Sequence, residues 1–226
     1  MSREKGRPAT KTKKADPNRI VQATIACIEE HGGTHTGAAE VAAAAGVGRQ
    51  TVYRVFPTRR LLFEAVISER LRAMAERLKL LVSKYARLED AIISGSIKSI
   101  QMARQDPIFV AALGEIDHVS IEAYMIGPDS PLRDFMLMIW QETLTAARLR
   151  GELRQDIADV DIVDWLRGVH LILNIRQDLS PAAAGKLLKT FVMPGLLAPP
   201  NEGKTTVKRK NKTTSRRPSA GIRRTR

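Results

Sequence analysis

Apolar side chains return at helical spacing almost from the start of the chain. Ile20, Ala23, Thr24, Cys27 and Ile28 stand at i, i+3, i+4, i+7 and i+8, the buried stripe of a helix of about four turns that His31 and Gly32-Gly33 bring to an end. The segment TGAAEVAAAAGVGRQTVYRVFP then carries Val41, Ala45, Val47, Val52 and Phe56 as apolar contacts on two short stretches separated by Gly46-Val47-Gly48. Pro57 disfavours helical geometry at Phe56, so the pattern predicts two short helices meeting across a turn of three or four residues.

Longer helical periods follow. Thr58 to about Val82 reads as one long helix with Thr58 as its cap, and Leu88–Arg104 as another, with Ile92, Ile93, Ile97 and Ile100 inward. A short apolar piece and a connection through Gly127-Pro128 lead to Leu132–Leu149, striped by Leu132, Phe135, Met136, Ile139, Thr143, Ala146 and Ala147. Asp159–Arg176 has two apolar faces, one of Ile162, Trp165, Val169 and Ile172, the other of Val163, Leu166, His170 and Leu173. A helix apolar on two faces must be covered twice, once by its own core and once by a partner. A last helix is expected from Pro181 to about Leu197. Four dipeptides, Asp16-Pro17, Asp106-Pro107, Ser130-Pro131 and Ser180-Pro181, set a capping oxygen before a proline and mark four helix starts.

Composition agrees with an all-α protein. Of 226 residues 43% are hydrophobic, enough for a core in one or two domains, while aromatics are only 4%, which disfavours a β-sandwich. No window approaches eighteen uninterrupted apolar residues and the N-terminus has no apolar stretch, so neither a membrane span nor secretion is expected. A single cysteine, Cys27, cannot form an internal disulfide and points to a reducing, cytoplasmic compartment. The net charge of +13 lies wholly in two low-hydrophobicity ends, +4 in residues 1–16 and +9 in residues 201–226, while residues 17–200 are neutral. These ends are expected to be disordered arms for a polyanion, nucleic acid before membrane.

A glycine turn between two short helices is the layout of a helix-turn-helix, whose second helix offers Arg49, Gln50, Thr51, Tyr53 and Arg54 as polar positions. Arg can pair with guanine through two hydrogen bonds and Gln with adenine; a Thr methyl can touch thymine, and Tyr and Arg can reach phosphates. Catalytic signatures are lacking: there is no Gly-x-Ser-x-Gly, no His-Glu-x-x-His, no phosphate-cradling glycine loop and no cysteine pair for zinc. The run Asp156, Asp159, Asp161, Asp164 lacks the glycine and distal Glu of a calcium loop and reads as capping and solvated positions. Neither enzyme activity, nor a cofactor, nor a metal is expected.

The stretch Ala45-Gly46-Val47-Gly48-Arg49-Gln50-Thr51-Val52-Tyr53-Arg54-Val55-Phe56, followed by Thr58-Arg59 and Leu61-Leu62 and preceded by Thr36 and Val41-Ala42, resembles the TetR family of bacterial transcriptional regulators over roughly residues 17–65. Gly48 stands where Ser is common, Gln50 where Gly is frequent, Val55 where an aromatic often sits and Arg59 where Lys is usual. The resemblance implies DNA contacts from Thr36, Gly48, Arg49, Gln50, Thr51, Tyr53 and Arg54, with Arg59 and Arg60 as replacement phosphate ligands.

It also implies that the last two long helices pair with those of a second subunit, and that the helices before them enclose a small-molecule pocket. Met102, Phe109, Leu113, Tyr124, Phe135, Met136, Trp140, Trp165 and His170 are the candidate wall residues for an apolar effector, and each also suits plain core packing. The expected organisation is an arm (1–16), a DNA-binding domain (17–62), a ligand-binding and dimerisation domain (63–198) and a basic tail (199–226). The function expected is a ligand-responsive homodimeric repressor on a palindromic operator in double-stranded DNA, cytoplasmic and nucleoid-associated when bound. The alternative is a DNA-coating architectural protein with little sequence preference.

Overall fold

Each of the four acid- or serine-proline pairs starts a helix. In the computed structural model, which describes residues 16–199, Asp16 accepts the Asn18 N–H at 3.0 Å before α1 (Pro17–His31). Asp106 accepts the Ile108 and Phe109 N–H groups, both at 3.0 Å, before α6 (Pro107–Leu113). Ser130 accepts from Leu132 at 3.1 Å before α8 (Leu132–Leu149), and Ser180 from Ala183 at 3.2 Å before α10 (Pro181–Leu187). Between them lie α2 (Ala38–Ala45), α3 (Arg49–Val55), α4 (Arg59–Val82) and α5 (Leu88–Gln105), then α7 (His118–Ile126) and α9 (Asp159–Ile175), with α11 (Met193–Leu196) closing the order. Thr58 caps α4 as expected, accepting from Leu61 at 3.2 Å. No strand occurs among the described residues; Leu153 and Leu197 form an isolated antiparallel bridge. The basic segments read as arms lie outside the described residues except for Asp16 and Pro199.

Two elements differ from the expectation. The piece after Pro107 is two helices, α6 and α7, because the chain turns at Gly114–Asp117. The final helix is interrupted at Leu188–Val192 by a wider turn in which the Met193 N–H reaches back five residues to Leu188, just ahead of Pro194, which has no N–H to continue the ladder.

Three apolar clusters hold these helices. Ile20, Ala23 and Cys27 of α1 bury against Val41, Ala42 and Ala45 of α2, Val52 of α3 and Leu62 of α4. The other side of α1, through Val21, Ile25 and Ile28, packs on Phe63, Val66 and Ile67 of α4 and Ile108, Phe109 and Ala112 of α6. A helix buried on both sides joins the small helical head to the rest of the chain. The third and largest cluster fills the bundle of α4, α5, α8, α9 and the last helices, with Trp140 and Leu166 at its centre. Arg167 is buried there at 2% exposure. Its Nε donates to Met125 O at 3.1 Å, Nη2 to Gly127 O at 2.8 Å and Nη1 to Asp164 at 2.6 Å, so α9 ties down the connection between α7 and α8.

The chain reaches Pro199 beside Arg87 and Glu89, just beyond the C-terminal end of α4. Since α4 has 24 residues, that end lies about 36 Å from its start, where the head is attached.

Candidate nucleic-acid interface and effector site

Gly46 makes the turn between α2 and α3 possible. Its φ of 60° is left-handed, and in that conformation its N–H and that of Val47 close onto the last carbonyls of α2. Gly48 then lies extended and its carbonyl accepts the Thr51 N–H at 2.8 Å, starting α3. Val52 is 1% exposed and anchors the back of α3, while Arg49, Gln50, Tyr53 and Arg54 are exposed and Thr51 is half-buried. Arg49 lies along Tyr53: its Nη2 donates to the phenol oxygen at 3.3 Å and its Cζ is 5.6 Å from the ring centroid. That hydrogen bond pushes the Arg49 pKa further up. The helix RQTVYRV contains no acid, so its outward face is cationic and rich in hydrogen-bond donors. Such a face can pair with base edges in a major groove and with the phosphates beside it.

Two side chains expected at that face are engaged elsewhere. Thr36 is fully buried and its hydroxyl donates to Gly32 O at 2.8 Å, which makes it a clasp of the loop between α1 and α2. The residue at the start of α2 is Gly37, whose N–H donates to Glu40 at 3.1 Å. Arg59 donates to Gly33 O at 2.8 Å, Thr36 O at 2.5 Å and Glu115 Oε2 at 2.7 Å, with Phe63 beneath it at 4.7 Å. Arg60 is exposed but paired with Glu64 at 2.6 Å, one turn along α4. Glu115 was invisible to sequence reading: it is 56 residues from Arg59 and in no periodic pattern.

The family profile described as "Bacterial regulatory proteins, tetR family" matches residues 20–66, the stretch from α1 into α4. This head is a tetR-family domain. The larger helical region completes the tetR-family fold. The TetR family repressor AlkX of Dietzia sp. strain DQ12-45-1b superposes with a TM-score of 0.57 at 16% identity, over 80% of this chain and 95% of that one. A tetR-family assignment also belongs to a Shewanella sp. PV-4 protein, similar at a TM-score of 0.50 and 16% identity over 81% of this chain and 98% of that one. No curated protein sequence matches the chain.

The nine candidate wall residues do not line one cavity in this tetR-family fold. Met136 and Trp140 are in the large bundle core with Phe135 packed against them, whereas Phe109 and Tyr124 belong to the cluster around α6 with Leu113 beside them. Met102 borders both clusters. Phe109 and Leu113 open onto a groove of about 460 Å³ with Arg104 and Asn174, and Tyr124 onto another of about 520 Å³ with Ser68 and Arg60. Tyr124 shares a 2.6 Å hydrogen bond with Ser68, and burial pushes its phenol up to about 12. Trp165 leaves the wall set: at 63% exposure it stands on the outer face of α9.

His170 has the opposite placement. Its Nε2 is buried without a hydrogen-bond partner, and burial lowers its pKa to about 4. Ser96 Oγ on α5 and Trp140 Nε1 on α8 are also buried and unpartnered, so three mutually packed helices each carry an unsatisfied polar atom. No group of His, Cys, Asp or Glu placed to hold a metal occurs among the described residues. The aspartates of the 156–164 run that pair do so with arginines: Asp156 with Arg154, Asp159 with Arg148, and Asp164 with Arg133 and Arg167.

The depressed His170 pKa makes a stability prediction. Between the unfolded value near 6.5 and the folded value of about 4, only the unfolded chain binds the proton, so stability falls as pH drops through this window. The contribution of His170 to that loss is roughly 3 kcal/mol. Urea unfolding of wild type and His170→Leu at pH 7 and pH 4 should show the variant losing less by about that amount, and equal losses would contradict a buried neutral imidazole.

Proposed function

We propose that the chain is a sequence-specific DNA-binding repressor that acts as a homodimer on a palindromic operator and releases it when an apolar small molecule binds. The observation that carries this reading is α3: a helix pinned by Val52, free of acids, and presenting Arg49, Gln50, Tyr53 and Arg54 outward. These side chains, with Gly48 and Thr51, are proposed for the interface. Arg59 and Thr36 hold the head together.

Support for the homodimer comes from α9, where Trp165, Ile172 and Ile175 are 63%, 62% and 69% exposed on one stripe, and from Phe191, 74% exposed on the last helix. An exposed apolar stripe of this kind on a helix already covered on its other face needs a partner. Support for an effector comes from the unsatisfied atoms of Ser96, Trp140 and His170 within the helical bundle, since a ligand with one or two polar groups would satisfy what the protein leaves open. Met102, Phe135 and Met136 are the proposed apolar walls around them. The division proposed is a DNA-binding domain (17–62) and a ligand-binding and dimerisation domain (63–198). The setting proposed is cytoplasmic, with the basic ends as auxiliary polyanion contacts.

Footprinting on genomic fragments tests the reading against a DNA-coating role. A short protected site with two-fold symmetry is expected; uniform protection of any fragment would favour coating.

A further inference from the structure

We infer that Arg59 and Glu115 are positioning residues for DNA recognition: their joint fixes the angle at which the helix-turn-helix is carried on the body of the protein. The inference rests on the reading of the chain as a dimeric operator-binding protein and adds to it the element that sets half-site spacing.

Arg59 stands at the first turn of α4 and gathers three parts of the chain. Nη2 donates to Gly33 O at 2.8 Å and to Glu115 Oε2 at 2.7 Å, Nη1 to Thr36 O at 2.5 Å, and Nε to Glu115 Oε2 at 3.3 Å. Four of the five guanidinium N–H donors are therefore committed, and the plane is backed by Phe63 at 4.7 Å. Both carbonyls belong to the loop between α1 and α2, which the buried Thr36 clasp keeps in shape. Glu115 follows α6, and its side chain is only 14% exposed. The loop is pressed against that end of α6: a Cβ at Gly33 would lie 2.9 Å from Ala111 O and 3.1 Å from Glu115 Cγ, so a side chain there would force the two apart.

The joint has a counterpart at the other end of α6. Arg70, three turns further along α4, pairs with Asp106 at 2.7 Å, and Asp106 caps α6. The helix is thus strapped to α4 ahead of its first residue and beyond its last. Arg59 adds the head to that strut, while Arg49 and Arg54 on α3 form no close ion pair among the described residues and stay available to DNA. Arg59 spends its donors on pose; Arg49 and Arg54 keep theirs for the duplex.

The consequence is a preference for one half-site spacing. In a dimer, inserting one base pair between half-sites moves one of them by about 3.4 Å and rotates it by about 34°. A rigid head rejects the altered site, whereas a head that pivots on α4 tolerates it. The test measures affinity for the selected operator, and for the same operator with one base pair added or removed at its centre, using wild type, Glu115→Gln and Arg59→Ala across a salt series. Wild type is expected to lose about tenfold or more on the altered spacings. Glu115→Gln, which keeps size and removes the charge, is expected to lose operator affinity several-fold and to cut the spacing penalty at least threefold, with its salt slope unchanged. Arg59→Ala should do the same, and the double variant should be no worse than Arg59→Ala. If Arg59 instead contacts phosphate, Arg59→Ala flattens the slope by about 0.9 per contact and Glu115→Gln leaves spacing preference intact, which overturns the proposal. Should Arg59→Ala fail to fold, Glu115→Gln alone decides between these results. Wild type with no preferred operator would overturn the functional reading itself, and with it this inference; a preferred operator with an unchanged spacing penalty in Glu115→Gln would overturn the inference alone.

Discussion

Replacing Ile172 with Glu is expected to yield folded monomers whose affinity for the operator is lower by about 10²–10⁴-fold, the advantage lost when two linked recognition heads bind separately. Ile172 is 62% exposed within the subunit, so the substitution removes little from the subunit's own core. Its neighbours on the same stripe, Trp165 and Ile175, are equally uncovered, and Gly168 between them presents no side chain to hold a partner helix away. In a dimer the glutamate would have to lose its hydration against apolar side chains such as Trp165 and Ile175, and dissociation is the cheaper outcome. Sedimentation velocity at micromolar concentration reads assembly, and thermal unfolding confirms that the subunit is intact. A fully dimeric Ile172→Glu would move the interface off this face of α9, and a monomeric wild type that still binds its operator tightly would remove the homodimer.

Much of the helical order was written in local chemistry. The four proline starts were legible because a cap is a contract between a side chain and an N–H two or three residues away, as at Asp16 and Asn18. The helix-turn-helix was legible for the same reason: Gly46 and Val52 act within their own turn and their own helix. Other side chains have partners that no periodic pattern announces. Arg59 has the chemistry of a phosphate ligand, and only the folded chain shows that two loop carbonyls and a carboxylate 56 residues away already hold it. Thr36 has the chemistry of a DNA contact at the head of α2, yet the cap of that helix is Gly37 and the Thr36 hydroxyl turns inward. Trp165 and His170 are five residues apart on one helix with apolar residues on both faces, and periodicity alone could not say which face the bundle covers. The structure buries His170 Nε2 and leaves Trp165 outside. α7 has no proline to announce it and follows directly on the short apolar piece after Pro107.

The second large effect concerns which bases are read. Arg49 and Gln50 stand exposed in the first turn of α3, with Arg49 lying along Tyr53. In a helix-turn-helix the first residues of the second helix meet base edges, and a bidentate Arg–guanine or Gln–adenine pair is worth about 1–3 kcal/mol of discrimination. Because each contact occurs in both half-sites, removing one side chain should cost about 2–6 kcal/mol on the palindrome, with the loss confined to the base pair that side chain reads. Arg54 and Tyr53 are expected to behave differently: their replacement lowers affinity for all sequences alike, since phosphates carry no sequence information.

Selection of binding sites from a random duplex library, carried out with wild type, Arg49→Ala and Gln50→Ala side by side, measures this directly. A short palindrome for wild type is predicted, with a different symmetric pair of positions losing its base preference in each variant. An identical selected sequence for all three proteins would contradict base reading by α3, and no enrichment by wild type would contradict sequence-specific binding altogether.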